Sequence, residues 1–190
     1  MPPHSRSRFF AVAESRFRFA GALGVLMFGI VVPPAGAADD APVATVTGCR
    51  IQGRLLPEGG GAVFKGVPFS RPPVGELRWR EPRPVVPWSG VRDARESGPP
   101  CAQAPQGWND TYAAAGREDC LYLDVWAPTR NSTVPRAVMV WIHGGANQAG
   151  AGGSDPLYDG RALVRRGIVL VVIQYRVGIF GFFAHPDLTR

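Results

Sequence analysis

The residues that could do chemistry in this 190-residue chain are concentrated in one glycine-rich segment, residues 138–153 (VMVWIHGGANQAGAGG). An apolar run leads into His143, and Gly144, Gly145 and Ala146 follow it with almost no side-chain bulk. Small residues after a strand let backbone N–H groups turn outward and approach a ligand closely, because no large side chain blocks them. The segment is therefore predicted to bind an anion.

Two chemistries use such a loop: phosphate binding and acyl transfer. A phosphate site requires GxxxxGK followed by Ser or Thr, or GxGxxG opening a helix, and the segment contains neither pattern. The HGGA sequence fits the HGGG-type loop that follows an early strand of α/β-hydrolases, where its N–H groups help to form an oxyanion hole. The sequence therefore favours acyl transfer.

The first half of the sequence predicts edge strands and an irregular excursion. Residues 43–65 alternate apolar and polar residues between glycines, which is typical of short antiparallel strands joined by turns. Residues 66–105 are rich in proline and arginine, which disfavours regular helix.

The second half predicts the α/β class. Residues 121–128 alternate as a strand does, whereas residues 137–142 and 168–173 are continuous apolar runs, as expected for strands buried on both faces of a parallel sheet. A short helix between these two runs, capped by Asp159 and ended by Gly167, would complete a strand–helix–strand crossover.

Charge and cysteine spacing argue against nucleic acid and metal as partners. Half of the formal net charge of +6 lies in the first eighteen residues, and the remaining arginines are spread along the chain rather than massed beside aromatic residues. No cysteine pair has the CxxC spacing or the histidine partners of a zinc site. We therefore expect no nucleic acid, no metal and no cofactor.

The N-terminus has the order of a secretory signal: a basic segment, an apolar run over residues 20–32, and small residues ending at Ala37. The apolar run has 13 residues, fewer than the roughly 20 that a membrane-spanning helix needs. We expect a signal peptide over residues 1–37, export to the periplasm or the medium, and no stable membrane span after cleavage. An uncleaved membrane anchor is the alternative.

Four motifs in order resemble the type-B carboxylesterases, the family of the bacterial para-nitrobenzyl esterases and the cholinesterases. They are GVPFSRPPVGELRWREP (66–82), EDCLYLDVWAP (118–128), the HGGA loop with PLYDG (156–160), and QYRVGIFGF (174–182). The resemblance implies that residues 38–190 are the N-terminal part of an α/β-hydrolase fold, with antiparallel edge strands leading into a mostly parallel sheet. It also implies hydrolysis of a small-molecule carboxylic ester through an acyl-serine intermediate, and no oligomeric state is predicted.

The resemblance assigns roles within the glycine-rich segment. Gly145 and Ala146 match the donors whose N–H groups bind the oxyanion, Gly144 lets the loop turn, and His143 matches a structural residue beneath the loop. Asn147 stands where the family usually has an aromatic residue. Asp124 and Gln174 replace family asparagines.

The resemblance also pairs residues outside that segment. Sequence alone leaves three pairings open among Cys49, Cys101 and Cys120. Cys101 and Cys120 match the first disulfide of the family, which leaves Cys49 as the odd thiol. Arg78 and Glu118 match a structural ion pair.

No nucleophile accompanies the predicted oxyanion hole. Of the eight serines, Ser154 alone has glycine two residues before it, and Pro156 occupies the second glycine position of Gly-x-Ser-x-Gly. The chain order Ser, Asp or Glu, His places the whole triad beyond Arg190. We therefore expect this chain alone to be inactive as an esterase. The alternatives are a non-catalytic binding protein of the same fold and an inactive truncated remnant.

Overall fold

The structure is a computed structural model that describes residues 41–47, 49–57, 60–129 and 133–188, all within one compact unit, Asp39–Arg190. The signal peptide expected over residues 1–37 lies outside the described residues. None of the helices in the described ranges has the length and apolar character that crossing a bilayer requires.

The described residues form eight strands, three α-helices and two short 3₁₀ helices. The strands are β1 (Val43–Val46), β2 (Cys49–Gln52), β3 (Arg54–Leu55), β4 (Ala62–Pro68), β5 (Val91–Asp93), β6 (Tyr122–Ala127), β7 (Val138–Ile142) and β8 (Val169–Ile173). The α-helices are α1 (Asp110–Ala115), α2 (Arg161–Arg165) and α3 (Gly178–Phe182), and the 3₁₀ helices are Gly75–Leu77 and Pro186–Leu188.

A small three-stranded sheet has the order β1-β2-β5. β1 pairs antiparallel with β2, and β2 pairs parallel with β5. The expected antiparallel strands over residues 43–65 are therefore confirmed. The irregular excursion expected over residues 66–105 is confirmed from residue 69 onward, because β4 extends to Pro68 and Gly75–Leu77 and β5 are the only regular elements among residues 69–105.

The main sheet has five strands in the order β3-β4-β6-β8-β7. The first three pairings are antiparallel and the last, between β7 and β8, is parallel. The α/β class and the crossover are confirmed: the chain contains the antiparallel edge of the fold and its first parallel pair. Leu56, which follows β3, and apolar side chains of β4, β6, α2 and β8 form one core beside this sheet; those side chains are Val63, Trp126, Val164, Leu170 and Val172.

The prediction that residues 137–142 are buried on both faces is wrong for this chain. All five residues of β7 are exposed, from 42% at Trp141 to 62% at Ile142. β7 is the edge strand of the described sheet, and β8 is its only strand partner there. A continuous apolar run predicts a strand that can be covered on both sides, but burial also requires elements that cover it.

The crossover helix begins one residue later than expected. Gly160 occupies the N-cap position of α2 and provides no side-chain cap, while Asp159 accepts a hydrogen bond from the Arg161 N–H. The helix ends as predicted. Gly167 has a φ of 81°, and the Gly167 and Ile168 N–H groups donate to the carbonyls of Val164 and Leu163, which is a Schellman motif.

Candidate active site

The glycine loop, residues 143–153, begins at the carboxyl end of the parallel pair. Ile142 at the end of β7 pairs with Ile173 at the end of β8, so His143 and Gln174 leave the sheet side by side. In α/β proteins the carboxyl ends of parallel strands form the crevice in which ligands bind. The topology therefore places the glycine loop at the sheet edge where ligands bind in α/β proteins.

The loop turns through backbone conformations that favour glycine. Gly145, Ala146 and Asn147 have φ values of 113°, 54° and 61°. A Cβ atom added at Gly145 would lie 1.9 Å from the Ala149 carbonyl oxygen, whereas one added at Gly144 would meet nothing within 4 Å. The tight turn therefore depends on the glycine at 145 and not on the one at 144.

Two carbonyl groups of the turn are held by partners inside the protein. The Gly145 carbonyl accepts from the N–H groups of Gln148 and Ala149, at 2.9 and 3.2 Å, and the Asn147 carbonyl accepts from the Gly178 N–H at 2.7 Å. With these carbonyls fixed, the peptide groups of the turn cannot reorient freely.

The N–H groups of Gly145 and Ala146, in contrast, donate to no acceptor within the part of the chain that the structure describes. Ala146 is exposed and Gly145 is half-buried, so both are near the surface of the described unit. Two successive amide donors without acceptors, in a turn whose Gly145 and Asn147 carbonyls are held, can bind an oxygen that carries negative charge.

His143 lies beneath the loop and is 3% exposed. Its ring stacks on that of Tyr175 with 4.4 Å between the ring centroids, and the Tyr175 hydroxyl donates to the His143 carbonyl at 2.8 Å. Nδ1 lies 2.9 Å from the Gly144 carbonyl, which can only accept, so Nδ1 carries the proton. Burial lowers the pKa of His143, so the neutral ring is favoured.

Gln174, which follows β8, holds the far end of the loop. Its Oε1 accepts from the Gly152 N–H at 2.8 Å, and its Nε2 donates to the Ser154 hydroxyl at 3.3 Å. The side chain is buried. Glutamine at position 174, where the family has asparagine, therefore keeps a side-chain amide that supports the loop.

A second support for the loop comes from Gln103, which the sequence analysis missed. Its Nε2 donates to the carbonyls of Gly150 and Cys101, and its Oε1 accepts from Gly150 N–H and from Asn109 Nδ2. Asn109 is fully buried. The sequence signal that could have indicated this role is a polar residue inside the short loop between Cys101 and Cys120. Periodicity, however, cannot show which groups such a residue contacts.

The disulfide expected between Cys101 and Cys120 is confirmed, with a Cα–Cα distance of 4.9 Å. Cys49 is a free, buried thiol. The disulfide brings Gln103 to the glycine loop but forms no part of the turn at Gly145.

The structure brings Arg78 and Glu118 together as a bidentate ion pair, with Nε–Oε2 and Nη2–Oε1 distances of 2.5 and 2.7 Å. The Arg78 guanidinium also lies over the Phe180 ring of α3, 6.0 Å from its centroid. This pair therefore joins the irregular excursion to the disulfide region and to α3. It lies outside the glycine loop.

Comparison with known proteins agrees with this architecture. The carboxylesterase family model matches residues 40–189. The chain is 39% identical to fumonisin B1 esterase from Sphingopyxis macrogoltabida over 180 residues, which is 94% of this chain and 33% of that protein. It is 39% identical to acetylcholinesterase from Bungarus fasciatus over 165 residues, which is 80% of this chain and 26% of that protein.

Solved structures give the same result. A PNB esterase superposes with a TM-score of 0.66 at 38% identity, covering 76% of this chain and 29% of that one. A carboxylesterase from Geobacillus stearothermophilus superposes with a TM-score of 0.64 at 39% identity, covering 74% and 27%. The chain spans no more than about a third of the length of these relatives. With the family model matched over nearly all of the sequence after residue 39, the chain belongs to the carboxylesterase family.

Proposed function

We propose that this chain supplies the oxyanion-hole loop of a serine-type carboxylic ester hydrolase, with Gly145 and Ala146 as the backbone donors. The observation that carries the proposal is the contrast within the turn: the carbonyls of Gly144, Gly145 and Asn147 are held, while the N–H groups of Gly145 and Ala146 donate to no acceptor among the described residues. Donors fixed before the reaction stabilise developing charge without reorganisation, and one such donor contributes about 10²- to 10³-fold in rate.

His143 fits a supporting role in this proposal rather than that of a general base. Its Nδ1 proton is used on the Gly144 carbonyl, and its ring is stacked on Tyr175. A general base needs its nucleophile within hydrogen-bond reach. No described serine hydroxyl has a histidine as its hydrogen-bond partner, so we propose that this chain alone does not turn over esters.

The substrate proposal stays at the level of a small-molecule carboxylic ester. The relatives include a fumonisin B1 esterase and an acetylcholinesterase, whose names indicate different esters. Asn147 is exposed beside the donors and brings a polar amide to this rim of the site. We expect that rim to tolerate polar groups near the reacting carbonyl.

The experiment that tests the activity is a chimera in which residues 38–190 replace the corresponding N-terminal segment of the PNB esterase. The purified chain alone should hydrolyse a para-nitrophenyl ester no faster than buffer does, whereas the chimera should hydrolyse it. The matched control is the same chimera with its nucleophilic serine changed to alanine. A folded chimera that is no faster than this control would contradict the proposal.

We also propose that residues 1–37 are a signal peptide and that residues 38–190, the N-terminal portion of the family domain, are exported to the periplasm or the medium. The disulfide between Cys101 and Cys120 supports an oxidising compartment. The intact mass of the exported protein from a bacterial host should correspond to a chain that begins at Ala38. Recovery of the uncleaved chain in the membrane fraction would instead support the anchor.

A further inference from the structure

Asp124, on β6, is a buried carboxyl group outside the proposed oxyanion hole. It is 2% exposed. Its Oδ1 accepts a hydrogen bond from the Gly66 N–H at 2.9 Å, at the bulge in β4, and its Oδ2 lies 2.6 Å from the Ser97 hydroxyl oxygen. The two oxygens of this side chain therefore have different partners.

The Ser97 hydroxyl has two neighbours but one hydrogen. Its oxygen lies 2.6 Å from Asp124 Oδ2 and 2.8 Å from the Gly153 carbonyl oxygen. The Gly153 carbonyl oxygen can only accept a hydrogen bond. It therefore takes the one hydroxyl hydrogen of Ser97 when that hydroxyl donates to it. The contact with Asp124 is then a hydrogen bond only if Oδ2 carries a hydrogen and donates to Ser97.

A neutral carboxylic acid matches both partners of Asp124. Its carbonyl oxygen accepts, as Oδ1 does from Gly66, and its hydroxyl oxygen donates, as Oδ2 would to Ser97. An ionised carboxylate would be an acceptor at both oxygens, and Ser97 would then have to share its one hydrogen between Asp124 and Gly153.

Among the described residues, the cation that forms an ion pair with Asp124 is Lys65, and the pair is long. Lys65 on β4 has its Nζ 4.0 Å from Oδ2, beyond hydrogen-bond distance, and over the Trp126 ring. Val172 of β8, which pairs with Asp124, has no charge. A cavity of about 460 Å³ beside Ser97 and Gly153 is lined by Lys65 and by further titratable groups, namely Glu96, Asp155, Tyr158 and Asp159. Burial raises the pKa of Asp124, against the opposing effects of Ser97, Gly66 and Lys65.

We propose that Asp124 is a protonated carboxylic acid in the folded protein, and that its proton, donated to Ser97, orients the hydroxyl that holds the Gly153 carbonyl. Gly153 packs directly on this acid, since a Cβ atom added there would lie 2.1 Å from Oδ2. Its neighbour Gly152 is held by Gln174. Asp124 is thus a positioning residue for the end of the glycine loop, and this role does not depend on ester hydrolysis.

The test compares the full chain with its Asp124→Asn variant. Asparagine presents the same acceptor and donor but does not titrate. A folded-state pKa above the ordinary 3.8 means that the folded state binds more protons than the unfolded state, so stability falls as pH rises through that window. The unfolding equilibrium of the wild type, relative to the variant, should shift toward unfolding by up to about tenfold per pH unit.

A second measurement reads the proton directly. The infrared difference spectrum between wild type and Asp124→Asn, recorded just above the ordinary pKa of 3.8, should contain the carbonyl stretch of a protonated carboxylic acid. Ser97→Ala should shift that band, because the acid loses its acceptor. Carboxylate bands in the difference spectrum, or a stability difference that does not change with pH, would overturn the proposal.

The matched control is Asp93→Asn. Asp93 is an exposed carboxyl whose pKa is lowered by its hydrogen bond to Arg95. The pH dependence of its contribution to stability is opposite to that of Asp124. The stabilisation by Asp93 is present above the ordinary pKa of 3.8 and is lost as pH falls through the lowered folded-state pKa. Relative to the wild type, Asp124→Asn should therefore gain stability as pH rises, whereas Asp93→Asn should lose stability as pH rises.

Discussion

The Gln103 side chain pairs with Gly150 through two hydrogen bonds, with its Oε1 accepting from the Gly150 N–H and its Nε2 donating to the Gly150 carbonyl, both at 2.8 Å. Gln103 lies inside the loop that the Cys101–Cys120 disulfide closes, whereas Gly150 belongs to the glycine loop. The covalently closed loop thereby fixes a segment 47 residues further along the chain.

Gln103→Glu should destabilise the fold by about 1–3 kcal/mol. The substitution keeps the size of the side chain but removes the Nε2 donor, so the Gly150 and Cys101 carbonyls would face a carboxylate oxygen. Urea denaturation followed by circular dichroism measures the effect. The matched control is Gln106→Glu at an exposed position of the same loop, which should change the midpoint little. Equal midpoints for the two variants would show that the contact is not stabilising.

Gly145→Ala should inactivate the PNB esterase chimera, and Gly144→Ala should not. The added methyl group at 145 would lie 1.9 Å from the Ala149 carbonyl oxygen, at a φ of 113°, so the turn must rearrange and displace its N–H groups. The methyl group at 144 meets open space.

We expect kcat for a para-nitrophenyl ester to fall by at least about 10²-fold in the first variant and to stay within a few-fold in the second. Melting temperatures of both variants serve as the control for unfolding. Similar activity in two folded variants would mean that the turn at 145 does not shape the site.

The sequence predicted the backbone course of the site well. Alternation over residues 121–128 located β6, and the apolar run before His143 located β7 and therefore the start of the glycine loop. These signals are local, because strand periodicity and the positions of glycines can be read from consecutive residues. The disulfide came from the family resemblance, since spacing alone left three pairings open.

The sequence did not predict which groups hold the loop. Gln103 and Gly150 are 47 residues apart, and the Ser97 contact with Gly153 spans 56. Contacts of this kind depend on tertiary packing and produce no periodic pattern in the sequence. The exposure of β7 was missed for the same reason, because an apolar run cannot reveal which elements cover its faces.

Loss of the Cys101–Cys120 disulfide should reduce the free energy of unfolding by about 3 kcal/mol, the chain-entropy value for a loop of about 20 residues. The two half-cystines are buried, at 2% and 0% exposure, so the double alanine variant tests the bond more cleanly than a reductant does. Urea denaturation gives the difference.

The parent for this comparison is Cys49→Ala, because a free thiol could exchange with the disulfide during unfolding. If the double variant in this background matched the parent in stability, the disulfide would not be a determinant of the fold. A loss much above the expected value would indicate that the alanines also disturb the Gln103 contacts.

Acid should destabilise the fold through His143. Burial lowers the pKa of this histidine, so between that lowered value and the ordinary 6.5 the unfolded state binds a proton that the folded state does not. Stability therefore rises with pH across this window, by up to about tenfold in the folding equilibrium per pH unit. His143→Asn, which keeps a donor toward the Gly144 carbonyl but does not titrate, should lose this slope while being less stable throughout.

Asp124 changes stability in the opposite direction, because its raised pKa makes the folded state the better proton acceptor. Where the two windows overlap, the wild-type profile should be flatter than that of either single variant. Thermal unfolding across the range should therefore show a steeper rise of stability with pH in Asp124→Asn and a steeper fall in His143→Asn. Two variants with parallel profiles would mean that neither buried group exchanges a proton on unfolding.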